Sequence, residues 1–305
     1  MRLLDIYAGG PGSGCNPEVG KCGRPSMGMK YSPETKSWHT QGGERMPDHI
    51  KNLKVPPGWN NVAYHPDPNS DLHVTGKDSK GRTQAIYSAK FMKQQADAKF
   101  ARIDELNGKL NQIATKVHSD AQGGNEEAAA LRLVMATGVR PGGEGDTGAT
   151  KQAYGATTLE GRHVFIGKNG NVRLRFVGKK GVKINIPVDH PNIAQDLVDR
   201  KTAAGDKGKI FNTSAGKLLD YTHQQDGGGF KTKDFRTLLA TKTANEQVAA
   251  MKPPKNEKDY KKAVNKVADI VAEKLGNTRT VALQSYIHPV VFHSWRMHMN
   301  DGAGK

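Results

Sequence analysis

Tyr286 is a candidate nucleophile of this chain. It lies in the stretch Leu275-Gly276-Asn277-Thr278-Arg279-Thr280-Val281-Ala282-Leu283-Gln284-Ser285-Tyr286-Ile287-His288-Pro289. A phenol has an unperturbed pKa of about 10 and attacks poorly at neutral pH unless nearby cations favour the phenolate. Arg140 and Arg236 could supply that charge, and their forked donors match the oxygens of a phosphate. Asn277 could add one neutral donor. Attack on a phosphodiester builds negative charge on the non-bridging oxygens, so fixed donors of this kind are what the reaction requires. The departing alkoxide needs a proton, for which a lysine is a suitable acid. Taken alone, each residue has an ordinary explanation. A tyrosine near a helix end is usually packed, and a basic residue after a helix end usually answers the helix dipole.

The elements that would position these residues can be read from periodicity. Tyr260, Val264, Val267, Ile270, Val271 and Leu275 form a helical stripe over Asp259 to Leu275, which Gly276 closes as a left-handed cap. Asn277 then sits just past a helix end. A further short helical run is expected to stop at Pro289, leaving Tyr286 one turn before a forced break. Asn125 caps a helix through Leu131, Val134 and Met135; Gly138 ends it, and Arg140 follows. Phe100, Ile103, Leu106, Leu110, Ile113 and Val117 mark an earlier amphipathic helix. Between His163 and Val188, Val172, Leu174 and Phe176 alternate with Arg173 and Arg175, with turns at Asn169-Gly170 and at Lys179-Lys180-Gly181. This predicts a small antiparallel sheet with Lys179 at a hairpin tip. Helices are expected again over Pro191 to about Ala203 and from a Thr232 cap through Phe235, Leu238 and Leu239.

The amino-terminal part reads differently. Residues 1–50 are rich in Gly and Pro and are expected to be a flexible leader. Residues 51–95 hold short extended pieces, Val62-Ala63-Tyr64 and Leu72-His73-Val74, between turn clusters, which predicts a small β-rich domain. Residues 96–300 form the mainly helical domain and 301–305 a tail, so the fold class is α+β. Thr75-Gly76-Lys77-Asp78-Ser79-Lys80-Gly81-Arg82-Thr83-Gln84 has Arg82 where a phosphate loop needs Lys followed by Ser or Thr, which excludes nucleotide binding there.

The chain carries 46 basic and 30 acidic residues, a net charge of +16. A long polyanion is the natural partner for that excess, and its spread along the chain favours a folded binding surface over a basic tail. No apolar run approaches membrane length and the first residues do not form a signal peptide. Cys15 and Cys22 suit neither a disulfide framework nor a complete zinc site, and the expected setting is reducing and intracellular.

Four segments carry a family resemblance: Thr137-Gly138-Val139-Arg140, Phe176-Val177-Gly178-Lys179, Lys233-Asp234-Phe235-Arg236-Thr237, and Gly276-Asn277-Thr278 through Tyr286-Ile287-His288-Pro289. In this order they resemble the active-site segments of type IB DNA topoisomerases, and with amino-terminal features the likeness covers about residues 55 to 290. The resemblance implies double-stranded DNA as partner, a monomer that clamps it, and a transient 3′-phosphotyrosyl bond from Tyr286. It implies Arg140, Arg236 and Asn277 as phosphate donors, Lys179 as general acid and Lys233 as a possible helper. Strand rotation and religation would need neither ATP nor metal, so no cofactor is expected. Pro56-Pro57-Gly58-Trp59 and Gly76-Lys77-Asp78 followed by Arg82-Thr83-Gln84 resemble the family's amino-terminal domain. There Gln84 would reach a base edge, with Arg82 and Tyr87 nearby.

Ala85 stands where an aromatic residue often follows the glutamine, and Asn277 matches the bacterial-type pattern where the poxvirus type has histidine. Gly142 to Gly148 reads as a mobile loop, and His288, His293 and His298 as structural or DNA-facing bystanders. The nearest rival is a tyrosine recombinase, which favours His-x-x-Arg where this chain has Lys233-x-x-Arg236. A non-catalytic DNA-binding protein of the same fold is the alternative of a different class.

Overall fold

The computed structural model describes residues 23–143 and 152–302. The chain is α+β and divides into two compact units at Lys99/Phe100. Cys15 and Cys22, and most of the expected Gly142–Gly148 loop, lie outside the described residues.

The first unit is built on a five-stranded antiparallel sheet in the order β2-β1-β3-β4-β5. Its strands are β1 (Met27–Ser32), β2 (Ser37–Thr40), β3 (Asn60–Tyr64), β4 (Leu72–Lys77) and β5 (Thr83–Tyr87), with a short helix α1 (Asp48–Lys51) between β2 and β3. Alternate residues Val62, Tyr64 and Val74 turn inward onto Met29, Ile50 and Val55, and the Trp38 indole donates to the Val55 carbonyl at 3.0 Å. The close approach of Gly76 to the Trp59 ring leaves no room there for a Cβ.

This sheet corrects the expectation of a flexible leader from residue 27 on, residues 1–22 lying outside the described residues. Residues 27–51 instead supply two strands and a helix, because Met29, Trp38, Met46 and Ile50 join the same core. Spread among polar residues, these few apolar side chains do not stand out as a period, but they have β3 and β4 to pack on.

Helix α2 (Ala89–Gln122) contains the division between the units. It begins at Ala89, so the end of the region expected to be β-rich is helical. In the second unit, Phe100, Ile103, Leu106, Ile113 and Val117 of this helix enter a core shared with α3 (Glu126–Thr137). Most of α3 is buried, the pattern of a central helix, and it packs on α5 (Ala215–Gln224) and α6 (Thr232–Ala250). Helix α4 (Pro191–Ala204) is tied to α3 by ions: Arg200 reaches Glu126 at 2.6 Å and Asp196 at 2.9 Å, and Arg132 reaches Asp196 at 2.9 Å. A three-stranded antiparallel sheet, β6 (Val164–Ile166), β7 (Val172–Val177) and β8 (Lys183–Pro187), lies between α3 and α4 in the chain.

A second cluster joins α6 to α7 (Glu257–Leu275), α8 (Arg279–Ser285) and α9 (His293–Gly302) through Val267, Val271, Leu275, Ala282, Ile287 and the buried Trp295. Three details differ from expectation. Helix α5, opened by a Ser214 cap, has no counterpart in the periodicity reading. Helix α6 starts with Thr232 as its first residue, not its cap; the Thr232 hydroxyl pairs with Thr222 at 2.9 Å, and Asp234 accepts from the Lys231 amide. Helix α8 ends at Ser285 with Tyr286 as its C-cap residue, while Pro289 opens the next 3-10 turn and ends nothing.

Candidate active site

Arg140 and Asn277 are each delivered by a helix that ends on a left-handed glycine. Gly138 (φ 66°) closes α3 and Gly276 (φ 59°) closes α7, so the chain turns out of one helix through Val139 into Arg140 and out of the other directly into Asn277. Neither glycine tolerates a side chain. A Cβ on Gly138 would stand 2.6 Å from a Leu275 methyl, and one on Gly276 would stand 2.3 Å from an Ile184 methyl. The two helix ends and the inner face of the small sheet therefore meet at van der Waals contact.

Arg236, on the second turn of α6, braces this junction. It is 2% exposed, and its guanidinium donates to the Gly138 carbonyl and, at 2.6 Å, to the Leu275 carbonyl. These are the last carbonyls of α3 and α7, which the helices themselves leave unpaired and which carry the negative ends of their dipoles. Burial is the main reason its pKa is pulled down, to about 10, with Tyr286 acting the other way and Arg140 reinforcing the fall. It is still a cation at neutral pH.

Tyr286 comes to the same place from the end of α8. Arg140 Nη1 donates to its hydroxyl at 3.0 Å, Arg140 Nη2 donates to Asn277 Oδ1 at 2.8 Å, and the Arg236 guanidinium carbon is 5.0 Å from the Tyr286 ring centre. Burial pushes the Tyr286 phenol up, but the charges of Arg236 and Arg140 and their hydrogen bonds outweigh it, so its pKa lies below the ordinary value. Two donors here are buried and make no hydrogen bond within the protein, Arg236 Nε and Asn277 Nδ2. Buried donors are rarely left so, and an oxyanion would satisfy them.

The remaining expected residues fall in different places. Lys179 sits in the tight β7–β8 connection, where the Gly178 amide donates to the Val182 carbonyl at 2.7 Å and Gly181 has φ 76°. It lines one pocket with Arg140, Arg236, Tyr154 and Gly276. Lys233 is half-buried in the first turn of α6, outside that lining. In the first unit, Asp78 gathers Arg82 (2.7 Å) and Gln84 (3.0 Å) on one carboxylate oxygen, while Tyr87 stacks on Phe91 at 5.0 Å. His288 is not isolated: its ring lies 4.4 Å from that of Phe100 and its Nε2 is 3.8 Å from Asp104.

Several residues were missed by sequence reasoning. The Thr241 hydroxyl donates to the Tyr286 carbonyl at 3.2 Å and accepts from the His288 amide at 3.3 Å, holding the backbone on either side of Ile287. Asp234, 1% exposed, takes a bidentate hydrogen bond from Arg102 and fixes the start of the helix that carries Arg236. Its position three residues after Lys231 was the available signal, since an acid there closes a helix start. Tyr154 joins the pocket from the segment that precedes β6, and its hydroxyl accepts from Arg162 at 3.0 Å. Nothing in its sequence neighbourhood marks it.

Among the described residues no group of three or more His, Cys, Asp or Glu could hold a metal ion, and no helix is long and apolar enough to cross a membrane. Residues 88–301 match the family model described as the eukaryotic DNA topoisomerase I catalytic core. The DNA topoisomerase 1B of Acanthamoeba polyphaga mimivirus is 26% identical over 260 residues, covering 79% of this chain and 77% of the viral protein. With the match running through every residue of the Arg140–Arg236–Asn277–Tyr286 cluster, the chain belongs to the eukaryotic-type DNA topoisomerase I family, the type IB enzymes.

Proposed function

We propose that this type IB topoisomerase nicks one strand of duplex DNA by attack of Tyr286 on a backbone phosphorus. The new bond joins phosphorus to the Tyr286 oxygen, and the bond from phosphorus to the 5′ oxygen breaks. The phenol proton passes to water before or during attack, and the leaving 5′ oxygen takes a proton from Lys179, with Lys233 assisting. The covalent 3′-phosphotyrosyl ester keeps much of the energy of the diester it replaces. Strand rotation relaxes supercoils, and the 5′ hydroxyl then reverses the step without ATP.

One observation carries this reading: the Tyr286 hydroxyl is within hydrogen-bond distance of Arg140, and its ring lies beside the buried Arg236. Both cations favour phenolate, and Arg140 also holds Asn277, whose Nδ2 is left as a buried donor without a partner among the described residues. Each Arg236 terminal nitrogen gives one of its two N–H groups to a helix carbonyl, so beside its roles as fixed charge and brace it keeps further N–H donors, the unpartnered Nε among them, for a phosphate. Lys179 as the acid is supported by its place in one pocket with Arg140 and Arg236, a lining that does not itself include Tyr286 or Asn277. In the first unit we assign Arg82 and Gln84 to DNA contact, presented together by Asp78.

The test is relaxation of a negatively supercoiled plasmid in EDTA without ATP by the protein and by Tyr286→Phe. Relaxation by the first and none by the second, with a covalent protein–DNA adduct trapped only by the first, is the expected result. A Tyr286→Phe protein that still forms the adduct assigns the nucleophile elsewhere, and dependence on paired specific sites returns the recombinase reading.

A further inference from the structure

The Arg236 brace ties the helix end before Arg140 to the one before Asn277, but it makes no bond to the hairpin that carries Lys179. Lys179 opens the one-turn 3-10 connection Lys179–Gly181 between β7 and β8. The strand leading into it is supported unevenly. Pairing of β6 with β7 stops at Val164 opposite Leu174, so among the strands only β8 pairs with Arg175, Phe176 and Val177. A lysine has a flexible four-carbon stem, and its reach must be limited before it can deliver a proton to one particular oxygen.

Residues 154–157 supply the missing support. The Tyr154 amide donates to the Val177 carbonyl at 2.9 Å, two residues before Lys179. A few atoms on, the Ala156 amide donates to the Arg140 carbonyl at 2.8 Å, and Thr157 holds the Pro141 carbonyl through its amide at 2.8 Å and its hydroxyl at 3.0 Å. Gly155, between them, runs so close that a Cβ there would stand 2.6 Å from the Arg140 carbonyl oxygen. This short stretch therefore ties the strand before Lys179 to the backbone of Arg140. The Tyr154 side chain adds a wall, lining the pocket with Arg140, Gly178 and Lys179. Its ring lies 4.2 Å from that of His163, which lies 6.1 Å from Phe176 of β7. Its hydroxyl accepts from Arg162 at 3.0 Å, and Arg162 is itself paired with Glu160 at 2.6 Å. The ring is thus held both along its face and at its tip.

We propose that Tyr154 is a positioning residue for proton transfer to the leaving 5′ oxygen: its ring confines the Lys179 side chain, and its amide fixes the Lys179 hairpin against the strand that carries Arg140. The proposal rests on the assignment of Lys179 as the acid. Loss of the ring then weakens expulsion of the leaving group and spares both attack by Tyr286 and the binding of duplex. A leaving group that needs no proton separates these effects.

The experiment measures single-turnover cleavage of a duplex with a mapped cleavage site, carrying either oxygen or sulfur as the 5′ bridging atom. The parent protein is compared with Tyr154→Leu, Tyr154→Phe and Lys179→Ala. On the sulfur substrate Tyr286 forms the same bond to phosphorus, while the phosphorus–sulfur bond breaks to a thiolate that leaves without a proton. Tyr154→Leu is expected to slow the oxygen substrate by about ten- to a hundredfold, part of the roughly 10²–10⁴-fold that a positioned acid supplies, and to match the parent on sulfur. Lys179→Ala should show a larger fall and the same recovery, and Tyr154→Phe, which keeps the ring and the amide, should stay near the parent on both. An equal fall of Tyr154→Leu on both substrates would overturn the proposal by placing Tyr154 in the fold or in phosphate binding, and so would an unchanged rate on oxygen. A Tyr154→Phe as slow as Tyr154→Leu overturns it too, by giving the role to the hydroxyl and not the ring. Recovery of Lys179→Ala without recovery of Tyr154→Leu defeats the Tyr154 proposal alone. No recovery of Lys179→Ala defeats the assignment of the acid, and the proposal with it.

Discussion

Arg236 donates a 2.6 Å hydrogen bond to the carbonyl of Leu275, the last residue of the helix that presents Asn277. Its other terminal nitrogen holds Gly138, two residues before Arg140. One buried side chain thus sets the distance between two others. Lysine replaces the planar fork, whose two terminal nitrogens each reach one carbonyl, with a single ammonium that does not reproduce that geometry. Arg236→Lys is expected to lower single-turnover cleavage by about a hundredfold or more and stability by about 1–3 kcal/mol for an unpaired buried carbonyl. Cleavage kinetics alongside urea unfolding check both, and a full-rate lysine variant would refute the brace.

The Tyr286 phenol sits below its ordinary pKa because Arg236 and Arg140 outweigh its burial. Cleavage should therefore rise with pH and level off before the usual phenol range, since the phenolate forms early. Arg140→Gln removes one of the two charges and the 3.0 Å hydrogen bond, so the rise should move to higher pH. The measurement is single-turnover cleavage of a short duplex against pH. A profile that stays in place on this substitution counts against phenolate attack.

Gly276 has φ 59°, and a Cβ there would meet Ile184 at 2.3 Å. Gly276→Ala is expected to cost about 1–2 kcal/mol from the left-handed backbone alone, with more from the clash. Adding Ile184→Ala should recover the clash part and leave the backbone part. Denaturant midpoints of the two variants separate the contributions.

Asp78 neutralises Arg82 and orients Gln84. In Asp78→Ala the arginine keeps its charge without a partner and the glutamine loses its anchor. Binding to arbitrary duplex should tighten, with a salt slope steeper by about one, while any preference among sequences falls. Affinities for a panel of duplexes over a salt series decide this, and a uniform loss of affinity would show the carboxylate to be structural.

Much of this site was legible because its residues follow local signals. Gly138 and Gly276 announce helix ends, and the alternation around Arg173 and Arg175 announces the hairpin that carries Lys179. What was not legible is tertiary. The brace formed by Arg236, the Thr241 link to the Tyr286 backbone and the Arg102–Asp234 pair join residues far apart in the chain, and no window of sequence contains both partners. The strands at Met27–Ser32 and Ser37–Thr40 were missed for a related reason. Their few apolar residues become a core only beside β3 and β4. Pro289 misled in the other direction, since it starts a turn three residues after Tyr286 has already ended the helix.

The separation of 146 residues between Arg140 and Tyr286 has a consequence for how the protein is made. Tyr286, the proposed nucleophile, follows both arginines in the chain, and Arg140 takes its place only when the helix ends pack through Arg236. A partly synthesised chain lacks the phenol, and a collapsed but unpacked chain has the phenol without the charges. On the proposed mechanism, the capacity to break DNA therefore requires both helix ends to be packed on Arg236 before Tyr286 can act.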